Sequence, residues 1–365
     1  MANVLNIGLK AFRERINNKK IVLWGAGKLA AYYIQTFCEG LNIVGIIDGN
    51  KDLSGKELEV EDTKYPIFSE EQFLFQVGGE DKLENTYSIF ITPTVYAGEI
   101  IKHINKNPIF DQVDCYMGVL MRDFYEAKPF QFSDGEEKIP RKIHYCWFGK
   151  KDIPDHLKKY IESWYQYCPD YEIIRWDESN YDVSKNKYME EAYKCGKWAF
   201  VPDYARLDII YHEGGIYLDT DVELLAPIDR LLKDTMFCGF QSEYQINFGC
   251  GFGAVRHHKL IKELRDYYND KSFYLENGEL NLKTCYEYQH PVLKKFGFQL
   301  ENSFQKKDGV VVYPSEVMAP SMGIVSNNFT SNTTSIHHLE YSWANEKEKA
   351  AFDLFKKEVK QLVDL

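Results

Sequence analysis

Short apolar runs alternate with amphipathic stretches along this chain, and the alternation starts twice. The first start is at Lys19. KKIVLWGAGKLAAYYIQTF reads as a buried strand, a glycine turn and an amphipathic helix. NIVGIIDGN predicts a second strand ending in Asp48, YSIFITPT (residues 87–94) a third, and GEIIKHINK another helix. Strand and helix in turn imply a parallel sheet with right-handed crossovers.

Residues 126–140, EAKPFQFSDGEEKIP, are polar, carry two prolines and lack a helical period, so they read as a linker. A fresh strand, KIHYCWFG, begins at Lys142. From there to Ser342 the pattern is again mixed: EIIRWD, a helix near residues 200–213, then IYLDTDVELL, FGCGFGAV and GVVVYP. The tail, ANEKEKAAFDLFKKEVKQLVDL, predicts an amphipathic helix with Phe352, Phe355, Val359 and Leu362 on one stripe. It could pack on its own domain or make a peripheral contact with a membrane surface; its mixed-sign polar face favours packing. The expected organisation is α/β throughout, with a Rossmann-like parallel-sheet domain over residues 1–128 and a second domain over 129–365.

Composition narrows the function classes. The chain has 365 residues, 44 % of them apolar and 15 % aromatic, enough for two cores. A net charge of −11 argues against a nucleic-acid partner, because phosphate binding needs clustered Lys and Arg. The 26 Tyr and 23 Phe are read first as core packing and second as stacking surfaces for sugars or bases. The eight Cys include no C-x-x-C pair, which disfavours a zinc or redox motif. The N-terminus lacks a signal-peptide run, and no segment reaches the roughly 18 apolar residues of a membrane span. The expectation is a cytoplasmic protein with reduced thiols, at most touching the inner face of a membrane. Asn328-Phe-Thr and Asn332-Thr-Thr match the glycosylation pattern and are read as chance in that setting.

The first candidate site is the glycine turn. Gly25 and Gly27 would let the backbone approach a phosphate, the following helix would supply its dipole, and Asp48 could accept from a ribose diol. Ala30 stands where a third glycine is usual. The stretch resembles, over about residues 17–110, the small Rossmann-like modules at the N-terminus of some sugar-modifying acetyltransferases and beside sugar-processing catalytic domains. In these the turn either holds a nucleotide or braces the fold.

The second is GGIYLDTDVELL, residues 214–225. Taken as one strand over residues 216–223, it turns Tyr217, Asp219, Asp221 and Glu223 to one face. Two carboxylates so close repel, and a divalent cation such as Mn²⁺ or Mg²⁺ would remove the repulsion while keeping positions open for a diphosphate. Just upstream, FVPDYARLDIIYHEGG predicts a helix with Asp203 and Arg206 on one face, half buried and turned toward the same pocket. Asn247, among the glycines of QINFGCGFGAV, is a candidate contact for a transferred sugar, and Gln289 and His290 for an acceptor wall.

The blocks IPRKIHYCWFG, ESWYQYCPDYEIIRWDESNYDV, KWAFVPDYARLDIIYHEGGIYLDTDVELLAPIDRLL and SIHHLEYSW resemble, in that order, the D-x-D sugar transferases of glycosyltransferase family 32. That family includes bacterial capsule enzymes. The resemblance covers about residues 139–345, with a more distant one to the glucosylating clostridial toxins. It implies a GT-A type fold, a nucleotide-sugar donor, a divalent metal, retention of anomeric configuration and a glycan acceptor in surface or capsular polysaccharide synthesis. A UDP-sugar is favoured over a GDP-sugar. Carried over, Trp147 would stack on the donor base, and Asp203 and Arg206 would hold sugar and phosphate. Tyr217 and Asp219 would contact ribose and the metal shell, Asp221 would bind the metal, and Ser342 and Trp343 would touch the diphosphate. Where the toxins have a late glutamate ligand, this chain offers His337 and His338, with His338 slightly favoured. Two other classes stay open: an NAD-dependent oxidoreductase led by the glycine turn, and a nucleotide-sugar sensor without turnover. Oligomeric state is not read from the sequence.

Overall fold

A computed structural model of the chain describes all residues except 17, 79–82, 125, 321–327, 340–349, 351–353, 356, 359–360 and 362–365. The chain forms two units, Met1–Glu126 with the tail, and Ala127–Met322 with Asn327–Trp343. Both are mixed α/β, the first with a mostly parallel sheet and the second with parallel and antiparallel pairs, as a Rossmann-like domain followed by a GT-A type domain would be.

The strands of the first unit are β1 (Asn3–Leu5), β2 (Lys20–Trp24), β3 (Ile43–Ile47), β4 (Glu57–Val60), β5 (Thr63–Phe68), β6 (Tyr87–Ile91) and β7 (Asp114–Met117). Its helices are α1 (Leu9–Arg15), α2 (Lys28–Thr36), α3 (Glu70–Gln76), α4 (Ala97–Ile104) and α5 (Gly118–Asp123). The sheet runs β1-β7-β6-β2-β3-β5-β4, parallel except for β4 against β5. Covered on both faces, β2 is a continuous apolar run with Ile21, Val22 and Leu23 fully buried. The sheet order reverses between β2 and β6, and the glycine turn lies at that crevice. Gly25 has φ +105°, and a Cβ there would come within 2.5 Å of Pro93.

In the second unit the strands are β8 (Lys142–Cys146), β9 (Glu172–Trp176), β10 (Gly215–Tyr217), β11 (Val222–Leu224), β12 (Met236–Ser242), β13 (Gln245–Ile246), β14 (Phe252–Ala254), β15 (Gln305–Lys307), β16 (Val310–Tyr313) and β17 (Ser335–His337). The helices are α6 (Asp155–Tyr167), α7 (Lys187–Lys194), α8 (Pro202–Glu213), α9 (Lys259–Asp266), α10 (Cys285–Phe296) and α11 (Ser315–Met318). The main sheet runs β15-β16-β12-β14-β10-β8-β9, while β11 pairs with β17 in a separate two-stranded ribbon. α8 starts on Pro202, which suits a first helical turn, and stops at Gly214, whose φ of +65° ends it.

Two expectations change. The strand over residues 216–223 is not continuous. β10 ends at Tyr217, and the chain turns through residues 218–221, with Val222 N–H donating to the Asp219 carbonyl at 3.1 Å. β11 then leaves the main sheet. The even alternation of IYLDTDVELL hides this break, because both halves are genuine strands. The second expectation is the tail. The sequence pattern places it with residues 129–365, yet Phe355 is buried in the core of the first unit and Glu358 pairs with Lys102 on α4 at 2.7 Å. Of its stripe, Phe352, Val359 and Leu362 lie outside the described residues. No described helix is long and apolar enough to cross a membrane.

Candidate active site

The carboxyl ends of β8 and β10 lie side by side, in register at Tyr217 and His144. His144 holds the entry to β10: its Nε2 lies 3.0 Å from the Gly214 carbonyl, and its Nδ1 accepts from Trp176 Nε1 at 3.1 Å. Beyond β10, the turn carries Asp219 and Asp221. The two aspartates are brought together by this turn and not by strand alternation.

α8 supplies the basic partner. Arg206 donates to Asp203 at 3.1 Å, to Asp219 at 3.4 Å and to the Pro202 carbonyl at 3.0 Å, and its guanidinium lies over the Tyr217 ring. Tyr217 in turn donates to the other oxygen of Asp219 at 3.0 Å. Asp203 and Arg206 are fully buried, not half buried as expected, so Arg206 reaches the site through Asp219. A planar fork that satisfies two carboxylates suits such a buried place. Removing Arg206 would leave Asp203 and Asp219 without their buried cation, costing about 3–5 kcal/mol, whereas removing Asp203 leaves Arg206 paired with Asp219.

Burial raises the Asp203 carboxyl to about 7 against the pull of Arg206. Asp219 is also raised, first by burial, with the like charge of Asp221 adding and Arg206 opposing. The β11–β17 ribbon brings His337 against them, its Nε2 lying 3.3 Å from Asp221. Burial lowers the His337 imidazole, but Asp221 and the charge of Asp219 outweigh it, and the net direction is up. Donor atoms of Asp219, Asp221 and His337 all lie within 4.8 Å of one another. His337 Nδ1 is buried and has no partner among the described residues. Two carboxylates and an imidazole, with one buried nitrogen unspent, form a donor set that fits a divalent cation.

His338, favoured in the sequence as the metal ligand, is not in this set. Its Nε2 bonds Glu223 at 2.8 Å, and its ring stacks on Tyr160 of α6. Glu223 likewise leaves the face of the aspartates, because the turn breaks the alternation that put it there.

The other candidates fall as follows. Trp147 follows β8 at the same sheet edge, half exposed, with its Nε1 donating to the Lys151 carbonyl at 2.6 Å. Asn247 caps the short turn Phe248–Cys250, accepting from Gly249 N–H at 2.8 Å. Gly249 itself was not singled out by sequence. A Cβ there would collide with the Asp219 carboxylate and come within 3.3 Å of Arg206, so the glycine is what lets this turn close on the site. Gln289 is fully buried, and His290 is half-buried with its Nε2 3.3 Å from the Ile246 carbonyl. Ser342 and Trp343 lie outside the described residues. In the first unit the Asp48 carboxylate accepts from the backbone N–H of Ala26 at 2.6 Å and of Asn50 at 2.8 Å. Gly27 caps α2 with open space beside it.

Residues 154–238, which include Asp203, Arg206, Asp219 and Asp221, match the family model described as "Glycosyltransferase sugar-binding region containing DXD motif". The chain is 31 % identical over 112 residues to inositol phosphoceramide mannosyltransferase 1 of Schizosaccharomyces pombe, covering 28 % of this chain and 34 % of that one. It is 30 % identical over 145 residues to mannosyl phosphorylinositol ceramide synthase SUR1 of Saccharomyces cerevisiae, covering 38 % of this chain and 37 % of that one. The matched part thus spans about a third of the length of these relatives. Among solved structures, the chain named PaToxG Glycosyltransferase aligns with a TM-score of 0.35 at 19 % identity, covering 44 % of this chain and 71 % of that one.

Proposed function

We propose that this chain is a metal-dependent glycosyltransferase that moves a sugar from a nucleotide-sugar donor to an acceptor hydroxyl. The observation that carries the reading is the Asp219, Asp221 and His337 cluster, backed by Arg206. When bound there, a divalent cation such as Mn²⁺ or Mg²⁺ supplies positive charge where the departing nucleoside diphosphate becomes negative. The chain's own residues do the rest. Arg206 and Tyr217 hold both oxygens of Asp219 in place, and Trp147 offers a half-exposed indole at the sheet edge for the donor base. Retention of configuration is the outcome we propose on the family resemblance, with a donor phosphate oxygen taking the acceptor proton.

The acceptor we propose is a growing surface or capsular glycan at the cytoplasmic face of a membrane. The relatives' names add mannosyl groups and inositol phosphoceramide to the donors and acceptors worth testing. An oxidoreductase gains no comparable support: beside the glycine turn only the Asp48 carboxylate is placed to meet a ribose, and it accepts from two backbone N–H groups.

The deciding assay is donor hydrolysis over a panel of UDP- and GDP-linked sugars, mannose included. Nucleoside diphosphate should appear slowly with Mn²⁺ and stop on adding EDTA. Asp221→Ala should cut the rate by about 10²-fold or more. Release that ignores EDTA and survives Asp221→Ala would overturn the reading. So would a change in nicotinamide absorbance, or donor binding without release.

A further inference from the structure

His337 and His338 are neighbours, and in a strand neighbours face opposite sides. The ribbon that ends at His337, with His338 directly after it, is short: Val222 faces His337, Glu223 faces Ile336 and Leu224 faces Ser335. Such a two-stranded pair is marginal by itself, and a slip of one residue would turn every side chain of β17 over. In this sequence the slip has a specific consequence, because it would exchange one histidine for the other beside Asp221. The pattern alone does not forbid it.

Three contacts oppose the slip at the far end of β17. His338 Nε2 meets the Glu223 carboxylate at 2.8 Å. The His338 ring stacks on Tyr160 with centroids 4.0 Å apart and planes 9° from parallel. Its backbone N–H donates to the Asp221 carbonyl at 2.9 Å. Glu223 and His338 are 115 positions apart, so this pairing ties β11 to a distant segment. At the near end, the hydroxyls of Thr333, Thr334 and Ser335 donate to the carbonyls of Glu316, Val317 and Met318 in turn. These are carbonyls of α11 that its own short helix cannot satisfy. β17 is therefore fixed at both ends, with His337 between.

We propose that Glu223, His338 and Tyr160 form a positioning clamp that selects the ribbon register in which His337, and not His338, completes the donor set with Asp219 and Asp221. The inference rests on the metal-dependent reading above. None of the three belongs to the donor set itself; they act through His337 and Asp221. An outer partner that orients a ligand in this way typically changes metal affinity 10–100-fold when removed.

The test is a titration of the full chain with Mn²⁺ alone, following the electron paramagnetic resonance signal of the free ion, with thermal melts in EDTA alongside. His338→Ala and Glu223→Gln should each weaken Mn²⁺ binding about tenfold. His338→Gln, whose amide can still donate to Glu223, should recover most of the loss, and Tyr160→Phe, which keeps the stack, should bind as the wild type does. His337→Ala should lose binding outright. Wild-type affinity in both His338→Ala and Glu223→Gln, with His337→Ala impaired, would overturn the clamp while leaving the metal site standing. Lower melting temperatures with unchanged Mn²⁺ affinity would overturn it equally, as a purely structural role. If Asp221→Ala binds Mn²⁺ as the wild type does, the metal reading fails, and the clamp goes with it.

Discussion

His144 is fully buried, yet both its ring nitrogens are used, one toward the Gly214 carbonyl and one accepting from Trp176. That arrangement requires the neutral ring with its proton on Nε2. Burial pushes its imidazole down to about 4. The unfolded chain takes up that proton near pH 6.5, so the fold keeps the full benefit above 6.5 and loses it as pH falls toward 4. Asp203 and Glu243, raised chiefly by burial to about 7 and about 8, bind protons in the fold over the same range and offset the loss. Acid stability of the wild type alone is therefore uninformative, and a difference isolates the ring. His144→Asn should be less stable than the wild type at pH 7.5. The gap should shrink by about 3 kcal/mol between pH 6.5 and 4. Urea unfolding followed by tryptophan fluorescence reads this, since Trp147, Trp164, Trp176 and Trp198 all lie in the second unit. A gap that stays constant with pH would mean the imidazole is not held neutral.

At the scale of elements, the first unit is pinned by one carboxylate. Asp114, buried at the start of β7, accepts from Asn3 of β1 at 2.7 Å, from Arg15 of α1 at 3.1 and 3.2 Å and from Lys19 at 3.1 Å. Burial would raise its carboxyl, but these donors prevail and hold it below the usual range. Asp114→Ala removes the junction of three elements at once. It should cost the first unit about 2–3 kcal/mol, less than a sealed ion pair because Arg15 reaches solvent. A urea midpoint within error of the wild type would rule the junction out as an anchor. Elements of this kind were legible where one local rule decides them. The run Ile21–Leu23 with its glycine turn, and α8 between Pro202 and Gly214, follow from pattern and caps alone. The break in IYLDTDVELL was not legible, because the alternation continues across it and only β17, far along the chain, draws β11 out of the sheet. For the same reason the family resemblance pointed to a late histidine beside the acidic pair but not to which one. Strand register is a tertiary fact. Asp203 and Arg206 were found from their spacing. Their complete burial, and the closeness of Gly249 to Asp219, depend on the packing of α8 and of the turn after Asn247.

The molecule holds separate cores, one around the β2-β6-β7 face with Phe355 of the tail, and others built within the second unit. The aromatic excess goes largely into them: Tyr188, Tyr268, Phe273 and Tyr288 pack edge to face or tilted behind α8, as ordinary core material does. Separate cores unfold separately unless the contact between them is large, so a single melting temperature is not the natural description of this chain. Calorimetry in EDTA should resolve two overlapping transitions, and Asp114→Ala should move only one of them. Mn²⁺ acts on the other. An ion that binds only the folded second unit stabilises it by about 2.7 kcal/mol at a hundredfold excess over its dissociation constant. The transition that Asp114→Ala leaves alone should therefore be the one that Mn²⁺ raises, and Asp221→Ala should cancel the rise. If Mn²⁺ moves the Asp114-sensitive transition instead, the cation is bound in the first unit, and the acidic turn after β10 has lost its purpose.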